Sequence, residues 1–468
     1  MERIRLPILL MMCMFTLTLI SCIKEKPIID DTLPDPGNTT EVTFAVSMPG
    51  LSQNISTYAI SDNEENKVST VDVLVFEVVN ANTENFVYRM RGRNIRPLTA
   101  NSIQFQVTMQ THATKLYRFV VIANARTEVD AMNYPTSGTD ALKANILSKL
   151  IFSNTGIWNT SSPTDYRVFP MWGESPNPYT VNTNLGTISL NLLRSLARVD
   201  VNVEPTLASV FRMTSISVYN SNANGRIAPI AGNYSVNDMK VTAPSMPSSI
   251  QINSTPLVYN SPDWLKFEKE IYLFEKAAAT SANASNAISL IIGGRYDGGA
   301  ETFYKLEFLS ATATPAPLPV LRNHKYVFNI TNVSGDGYPT KAAALSSKPS
   351  NMQATITTIN LSDMPIVYFD EHYYLALETD LVNYITDQAG GQFYKLKTDF
   401  PGGWTWTSDQ PSWLSMNPYN DGANIIVLIN PGTPATPRHG TLTITAGKIR
   451  ARIKVYQGYG SNPLPNIP

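Results

Sequence analysis

Cysteine is almost absent from this 468-residue chain: the two present, Cys13 and Cys22, both lie near the N-terminus. A disulfide framework for the body of the protein is thereby excluded. Histidine is scarce too. His112, His324, His372 and His439 form no H-E-x-x-H pair and have no cysteine beside them, so the sequence carries no zinc signature. Charged residues are only 16% of the chain and the net charge is −1. A nucleic-acid binder would show a basic surplus. The one local concentration, Arg89, Arg91, Arg93 and Arg96, reads as a solvated loop. No G-x-S-x-G elbow or P-loop occurs, and Gly293-Gly294 and Gly298-Gly299 bracket a hairpin instead of opening a helix. The expectation is a protein that is not an enzyme, with no metal, no cofactor and no nucleic-acid partner.

Long apolar runs are missing with one exception. Leu6 to Ile20 follows the basic residues Arg3 and Arg5. It is shorter than the roughly 20 residues a membrane-spanning helix needs, and it suits the apolar core of a secretory signal. The run ends Leu19-Ile20-Ser21-Cys22, which resembles a bacterial lipobox. That resemblance implies removal of residues 1–21 as a signal peptide and acylation of Cys22, including a palmitate-type chain. Cys13 would leave with the signal, so Cys22 has no disulfide partner. Residues 22–40, rich in Pro, Asp and Thr, read as a tether between lipid and fold.

The rest of the chain is patterned as strands. Val42, Phe44, Val46 and Met48 alternate with Thr43, Ala45 and Ser47, so the first set should face inward and fill a groove. Ile103, Phe105, Val107 and Met109 alternate in the same way, as do Val199, Val201 and Val203. Further strands are expected at 71–76, 117–123, 212–219, 288–293, 302–308, 325–330 and 352–358, with a tight turn at Asp297-Gly298. A helix over 139–151 would stack Leu142, Ile146 and Leu150 and be capped by Thr139 or Asp140. The pattern predicts a mainly all-β chain: tandem β-sandwich domains with one or two short helices, plus a small C-terminal β-sandwich. The boundaries fall at 41–205, 206–366 and 367–460, the first drawn at Pro205.

Several stretches along 41–360 then resemble one family. They are Thr57-Tyr-Ala-Ile-Ser-Asp-Asn-Glu-Glu-Asn-Lys-Val68, Tyr117-Arg-Phe-Val-Val-Ile-Ala-Asn124, Phe169-Pro-Met-Trp-Gly173 and Leu193-Arg-Ser-Leu-Ala-Arg-Val199. Ile271-Tyr-Leu-Phe-Glu275, Arg322-Asn-His-Lys-Tyr326 and Gly335-Asp-Gly-Tyr-Pro-Thr340 continue the series. Their order behind a lipobox resembles the fimbrillin superfamily, the pilus subunits of Bacteroidetes. The resemblance implies export as a lipoprotein, cutting by a trypsin-like protease behind the first strand, and filling of the opened groove by a strand from another fimbrial subunit. The expected arginine falls at about Tyr58, and the basic residue nearest the junction is Lys67. Residues 372–458 are similar to the BACON family, through Trp404-Thr-Trp406, Pro411-Ser-Trp-Leu414, Arg438-His-Gly440 and Val455-Tyr-Gln-Gly458. That likeness implies Trp404, Trp406 and Trp413 as glycan contacts, although a buried core reading suits tryptophan better.

The expected function is that of a cell-surface, outer-membrane lipoprotein in a fimbrium, held through Cys22 until any processing. It would assemble with other subunits by strand exchange and adhere to a host or bacterial surface glycan or protein. Because a folded domain follows the second sandwich, a place at the tip is preferred. A base anchor and a glycan-capture lipoprotein of a polysaccharide-uptake system are the alternatives.

Overall fold

The computed structural model describes residues 38–48, 62–99, 102–160, 167–235, 240–261, 263–280, 284–310, 314–360, 366–369, 374–384, 390–398, 400–419, 424–429 and 437–459. The lipobox with Cys22, the tether up to residue 37, Tyr58, His372 and the Pro-rich end lie outside them. The described chain is built of strands joined by turns and short helices, as its period-2 patterning requires. No described helix is long and apolar enough to cross a membrane.

The first sandwich uses β1 (Thr39–Ser47), β2 (Val71–Asn80), β3 (Thr83–Arg91), β4 (Arg93–Thr99), β5 (Ser102–Gln110), β6 (Tyr117–Ala123), β7 (Ile151–Ser153), β8 (Met171–Glu174), β9 (Ile188–Asn191) and β10 (Leu193–Arg194). One sheet runs β4-β5-β1-β9 and the facing sheet β10-β8-β6-β2-β3. The arginine cluster is therefore not a solvated loop. Arg89 and Arg91 sit on β3, Arg93 and Arg96 on β4, and Arg89 is buried against Asp72 (Nη2–Oδ1 2.7 Å).

The second sandwich uses β11 (Leu196–Val203), β12 (Phe211–Tyr219), β13 (Asn224–Arg226), β14 (Tyr234–Ser235), β15 (Lys240–Val241), β16 (Leu257–Asn260), β17 (Lys266–Phe274), β18 (Ser289–Tyr296), β19 (Glu301–Glu307), β20 (His324–Val333) and β21 (Met352–Asn360). Its sheets run β17-β11-β20-β21 and β16-β12-β18-β19. The boundary drawn at Pro205 thus moves upstream to about Ser195. A proline between two strands suggests domain punctuation, yet Pro205 opens a single 3₁₀ turn inside the second sandwich. Asp297 and Gly298, with φ of 44° and 71°, form the β18–β19 turn, a left-handed pair that glycine makes cheap.

The expected helix over 139–151 is broken. Thr139–Ala141 is a 3₁₀ turn, Leu142 is extended (ψ 136°), and an α-helix occupies only Lys143–Ser148. Neither Thr139 nor Asp140 caps it, because the residues before each helical piece are Gly138 and Leu142. The four-residue spacing still buries Ile146 and Leu150, which join the first core.

The two sandwiches share structure across their junction. β7 pairs antiparallel with β13, and Ile227, Ala228, Tyr272 and Phe274 from the second half pack into the first core. A third sandwich follows between Ile366 and Gln457, with a five-stranded and a four-stranded sheet around its own core. Ile366–Phe369 already pairs with Tyr374–Leu377 in that sandwich.

Candidate assembly site

β1 lies inside its sheet. It pairs antiparallel with β5 from Thr39↔Gln110 to Ser47↔Ser102, and parallel with β9 from Phe44↔Ile188 to Ser47↔Asn191. Val42, Phe44, Val46 and Met48 are all buried. Phe44 stacks on Phe105 at 5.2 Å between ring centroids and meets Phe119 edge-on at 5.6 Å. The opposite face carries Thr43 and Ala45, both half-exposed, and Glu41 and Thr39, both exposed. Each large apolar side chain is worth about 1.5–3 kcal/mol on burial, so the four together contribute on the order of 6–12 kcal/mol, an upper bound. Taking β1 away would expose two ladder edges and the rings of Phe105 and Phe119 between them. The resulting slot has the shape of one strand.

A second cluster sits a few residues downstream, where the two sandwiches meet. The one-turn helix Asp62–Glu65 and Asn66 enter the junction, and Glu65 and Asn66 are buried. Arg198 Nη1 donates to Glu65 Oε1 at 3.1 Å, and the Tyr272 hydroxyl donates to the same oxygen. Arg198 also donates to both carboxylate oxygens of Asp200, at 2.9 and 2.7 Å. Lys325 Nζ reaches Asp200 Oδ2 at 2.8 Å. Arg194 donates to Asn66 Oδ1, and to Asn323 Oδ1 at 3.1 Å. All of these residues are buried, Asp200 fully.

Their protonation follows from the surroundings. Burial works to raise the Glu65 carboxyl, but Arg198, Arg194, the Tyr272 hydroxyl and Lys269 outweigh it and hold it below its ordinary value. Burial opposes ionisation of Asp200 as well, and Arg198 and Lys325 hold it well below the carboxylate range. For Lys325 burial wins: its pKa is lowered despite Asp200.

A third group fixes the backbone after this segment. Asn124, with φ of 60°, accepts from the Ser69 N–H at 2.8 Å and donates to the carbonyls of Lys67 and Phe169, both at 2.8 Å. The Lys67 N–H donates to the Glu64 carbonyl at 3.1 Å. Lys67 itself is exposed at its side chain. Nearby, Arg322 is fully buried and donates to Glu275 Oε2 through Nε (2.9 Å) and Nη2 (2.7 Å). It also donates to the carbonyls of Ile227 and Arg226.

The sequence landmarks therefore converge. Glu65 and Asn66, Asn124, Phe169, Arg194 and Arg198, Tyr272 and Glu275, and Arg322 and Asn323 come from stretches up to two hundred and sixty residues apart, yet meet at one junction. The stretches are legible in the sequence, and their meeting is not. The available signal was the run Arg198-Val-Asp200 on a strand whose apolar face was already accounted for.

The tryptophans of the third sandwich sit on its core. Trp413 is buried, with the Arg438 guanidinium 4.3 Å over its ring. Trp404 and Trp406 are half-buried against the same core. Among the described residues, no three of His, Cys, Asp and Glu are grouped so as to hold a metal ion.

Comparison with known proteins adds a family. Residues 38–283 match the model of the fimbrillin-A associated anchor proteins Mfa1 and Mfa2. The chain belongs to that family. The match spans β1, the junction residues up to Glu275 and the second sandwich through β17; Arg322, Asn323, Lys325 and the third sandwich lie beyond it. The major fimbrium tip subunit FimE of Porphyromonas gingivalis is 28% identical over 192 residues, 40% of this chain and 33% of that protein. The chain thus spans about a third of the length of the curated relative it matches. Among solved structures, a fimbrial assembly protein from Parabacteroides distasonis overlaps 70% of this chain and 98% of its own, at 14% identity and a TM-score of 0.36.

Proposed function

We propose that this family member is a terminal subunit of a cell-surface fimbrium, and that the β1 slot is its assembly site. The observation that carries the reading is the seating of β1: a central strand held by one apolar face and two ladders, with nothing in its sequence that another alternating strand could not supply. A strand from a neighbouring subunit would enter antiparallel to β5 and parallel to β9. Main-chain hydrogen bonds would supply affinity, and pockets at alternate positions would supply register.

The terminal place rests on the other end of the second sandwich. After β21 the chain continues into a third folded sandwich, so β21 is not a free tail that can be handed to a neighbour. A subunit that accepts a strand and gives none belongs at the tip, where the third sandwich would serve adhesion to a surface glycan or protein. The BACON likeness of that sandwich stays part of this proposal, and the placement of its tryptophans favours a structural role for them over a sugar platform. A base position is the second reading. It is favoured by the absence of Lys and Arg between Lys26 and Lys67, because a chain left uncut keeps β1 and its lipid.

Acylation of Cys22 would hold the protein at the outer membrane; Cys22→Ala should then shift it from the membrane fraction to the soluble one. Gold-labelled antibody on whole cells tests the function. Label at filament ends supports a terminal subunit, and label absent from all filaments rejects it. A synthetic Thr39–Met48 peptide should raise the melting temperature of a chain starting at Asp62. A peptide with its apolar residues shifted by one position should not.

A further inference from the structure

We propose that residues 62–66 stay with the subunit through assembly as a staple between the first two sandwiches, and that the Lys67–Val68 bond is not where β1 is released. The exposed Lys67 side chain makes that bond look like a ready site for a trypsin-like protease. Its backbone is not ready. The carbonyl that a protease must attack accepts from Asn124 Nδ2, and the Lys67 N–H is tied to Glu64. On the far side of the bond the Ser69 N–H donates to the Asn124 side-chain Oδ1 at 2.8 Å. Proteases need several residues on both sides of the bond extended and reachable, and here the two preceding residues, Glu65 and Asn66, are buried.

The consequence of a cut there is the stronger argument. Loss of everything up to Lys67 would take Glu65 from Arg198 and Tyr272, and Asn66 from Arg194. In the intact junction Glu65 and Asp200 face Arg194, Arg198, Lys269 and Lys325. Glu268 is a further carboxylate facing Lys325, but Glu65 is the one that meets Arg198 and Arg194 from the segment before Lys67, and removing a buried carboxylate from its cations is strongly destabilising. An incoming strand could replace Val42, Phe44, Val46 and Met48, but a ladder between β5 and β9 brings no carboxylate to Arg198. What exchange can restore ends at β1. Any cut that frees β1 therefore falls before Asp62, in a stretch with no Lys or Arg from residue 27 onward, and is not made by a Lys- or Arg-directed protease.

The test is trypsin digestion of the folded full chain, with fragments read by mass spectrometry. Cleavage at Lys67 should be at least ten-fold slower than in a free peptide spanning residues 62–72, and Asn124→Ala should remove most of that protection. Cleavage at the peptide's rate in the folded chain overturns the proposal. If Asn124→Ala fails to fold, the N-terminus of the protein isolated from cells decides. A start at Val68 overturns the staple and leaves a tip position intact. A start before Asp62 upholds it, and when that start is a lipidated Cys22 in assembled fimbriae, the tip reading fails while the staple stands.

Discussion

Fourteen residues separate β1 from Asp62, and buried side chains anchor both pieces, Val42, Phe44 and Val46 in the strand and Glu65 and Asn66 in the segment that follows, yet different physics holds them. β1 is seated by four apolar side chains and two backbone ladders, interactions that any strand of the same parity can make. Glu65 and Asn66 are seated by named partners: Arg198, Tyr272 and Arg194, at fixed positions. Apolar burial is non-directional and tolerates replacement, whereas a buried carboxylate is bound to the geometry of its cations. The first kind of contact suits an element that is exchanged. The second suits one that is kept.

The comparison is broken most severely at Phe44. Its ring is fully buried between Phe105 and Phe119. Phe44→Ala should cost about 3–5 kcal/mol, and Phe44→Asp more, because the carboxylate would enter an apolar slot with no partner. Thermal unfolding of the full chain measures it. A loss under about 1 kcal/mol would mean that the ladders alone seat the strand. In a chain from which β1 has already gone, either change should be silent.

The next effect is at Glu65, where the prediction concerns both size and pH. Glu65→Gln keeps the shape but removes the charge facing Arg194, Arg198 and Lys269, and should cost about 3 kcal/mol. The folded-state pKa of Glu65 and of Asp200 lies below the unfolded value. Their contribution is therefore fully present above the ordinary carboxylate range of about pH 4, and is lost as pH falls through the lowered folded values. Acid unfolding of Glu65→Gln should be correspondingly shallower than that of the unaltered chain. Because the groups are buried, added salt should change this little. Identical acid limbs for the two proteins would detach Glu65 from the junction's stability.

These two elements were unequally legible in the sequence. The inward face of β1 could be read directly, since an alternating strand with one apolar face has only one sensible orientation. The strands around it and the Asp297-Gly298 turn were legible for the same local reason. The junction was not. Asp200 and Asn202, between Val199, Val201 and Val203, have the pattern of a strand with one face in water, yet both faces of β11 are covered. Tandem packing buries the second face, and no local period announces packing against a distant segment. Pro205 misled in the same way, since a proline marks a turn and not the end of a domain. The broken helix at 139–148 shows that a four-residue apolar spacing can be kept through an extended Leu142.

The smallest expected effect lies on the outer face of β1, and it sharpens the comparison because it is also a charge. Glu41 is exposed and sits 3.8 Å from Arg93 Nη2 on β4. Both side chains are substantially in water, at 55% and 36% exposure, so the attraction is screened and the cost of fixing two long side chains offsets much of it. Glu41→Gln should change stability by less than about 1 kcal/mol, and that change should shrink further in high salt. It should leave the register with β5 intact, because register is set by Val42, Phe44 and Val46 on the other face. The same unit charge is thus worth several-fold more at Glu65 than at Glu41, because Glu65 is buried and faces Arg198, Arg194, Lys269 and the Tyr272 hydroxyl, whereas Glu41 is in water with Arg93 at 3.8 Å. A loss at Glu41 as large as at Glu65, measured by thermal unfolding at two salt concentrations, would mean that β1 is held by specific charge pairing. A strand held that way could not be replaced by another of matching apolar pattern.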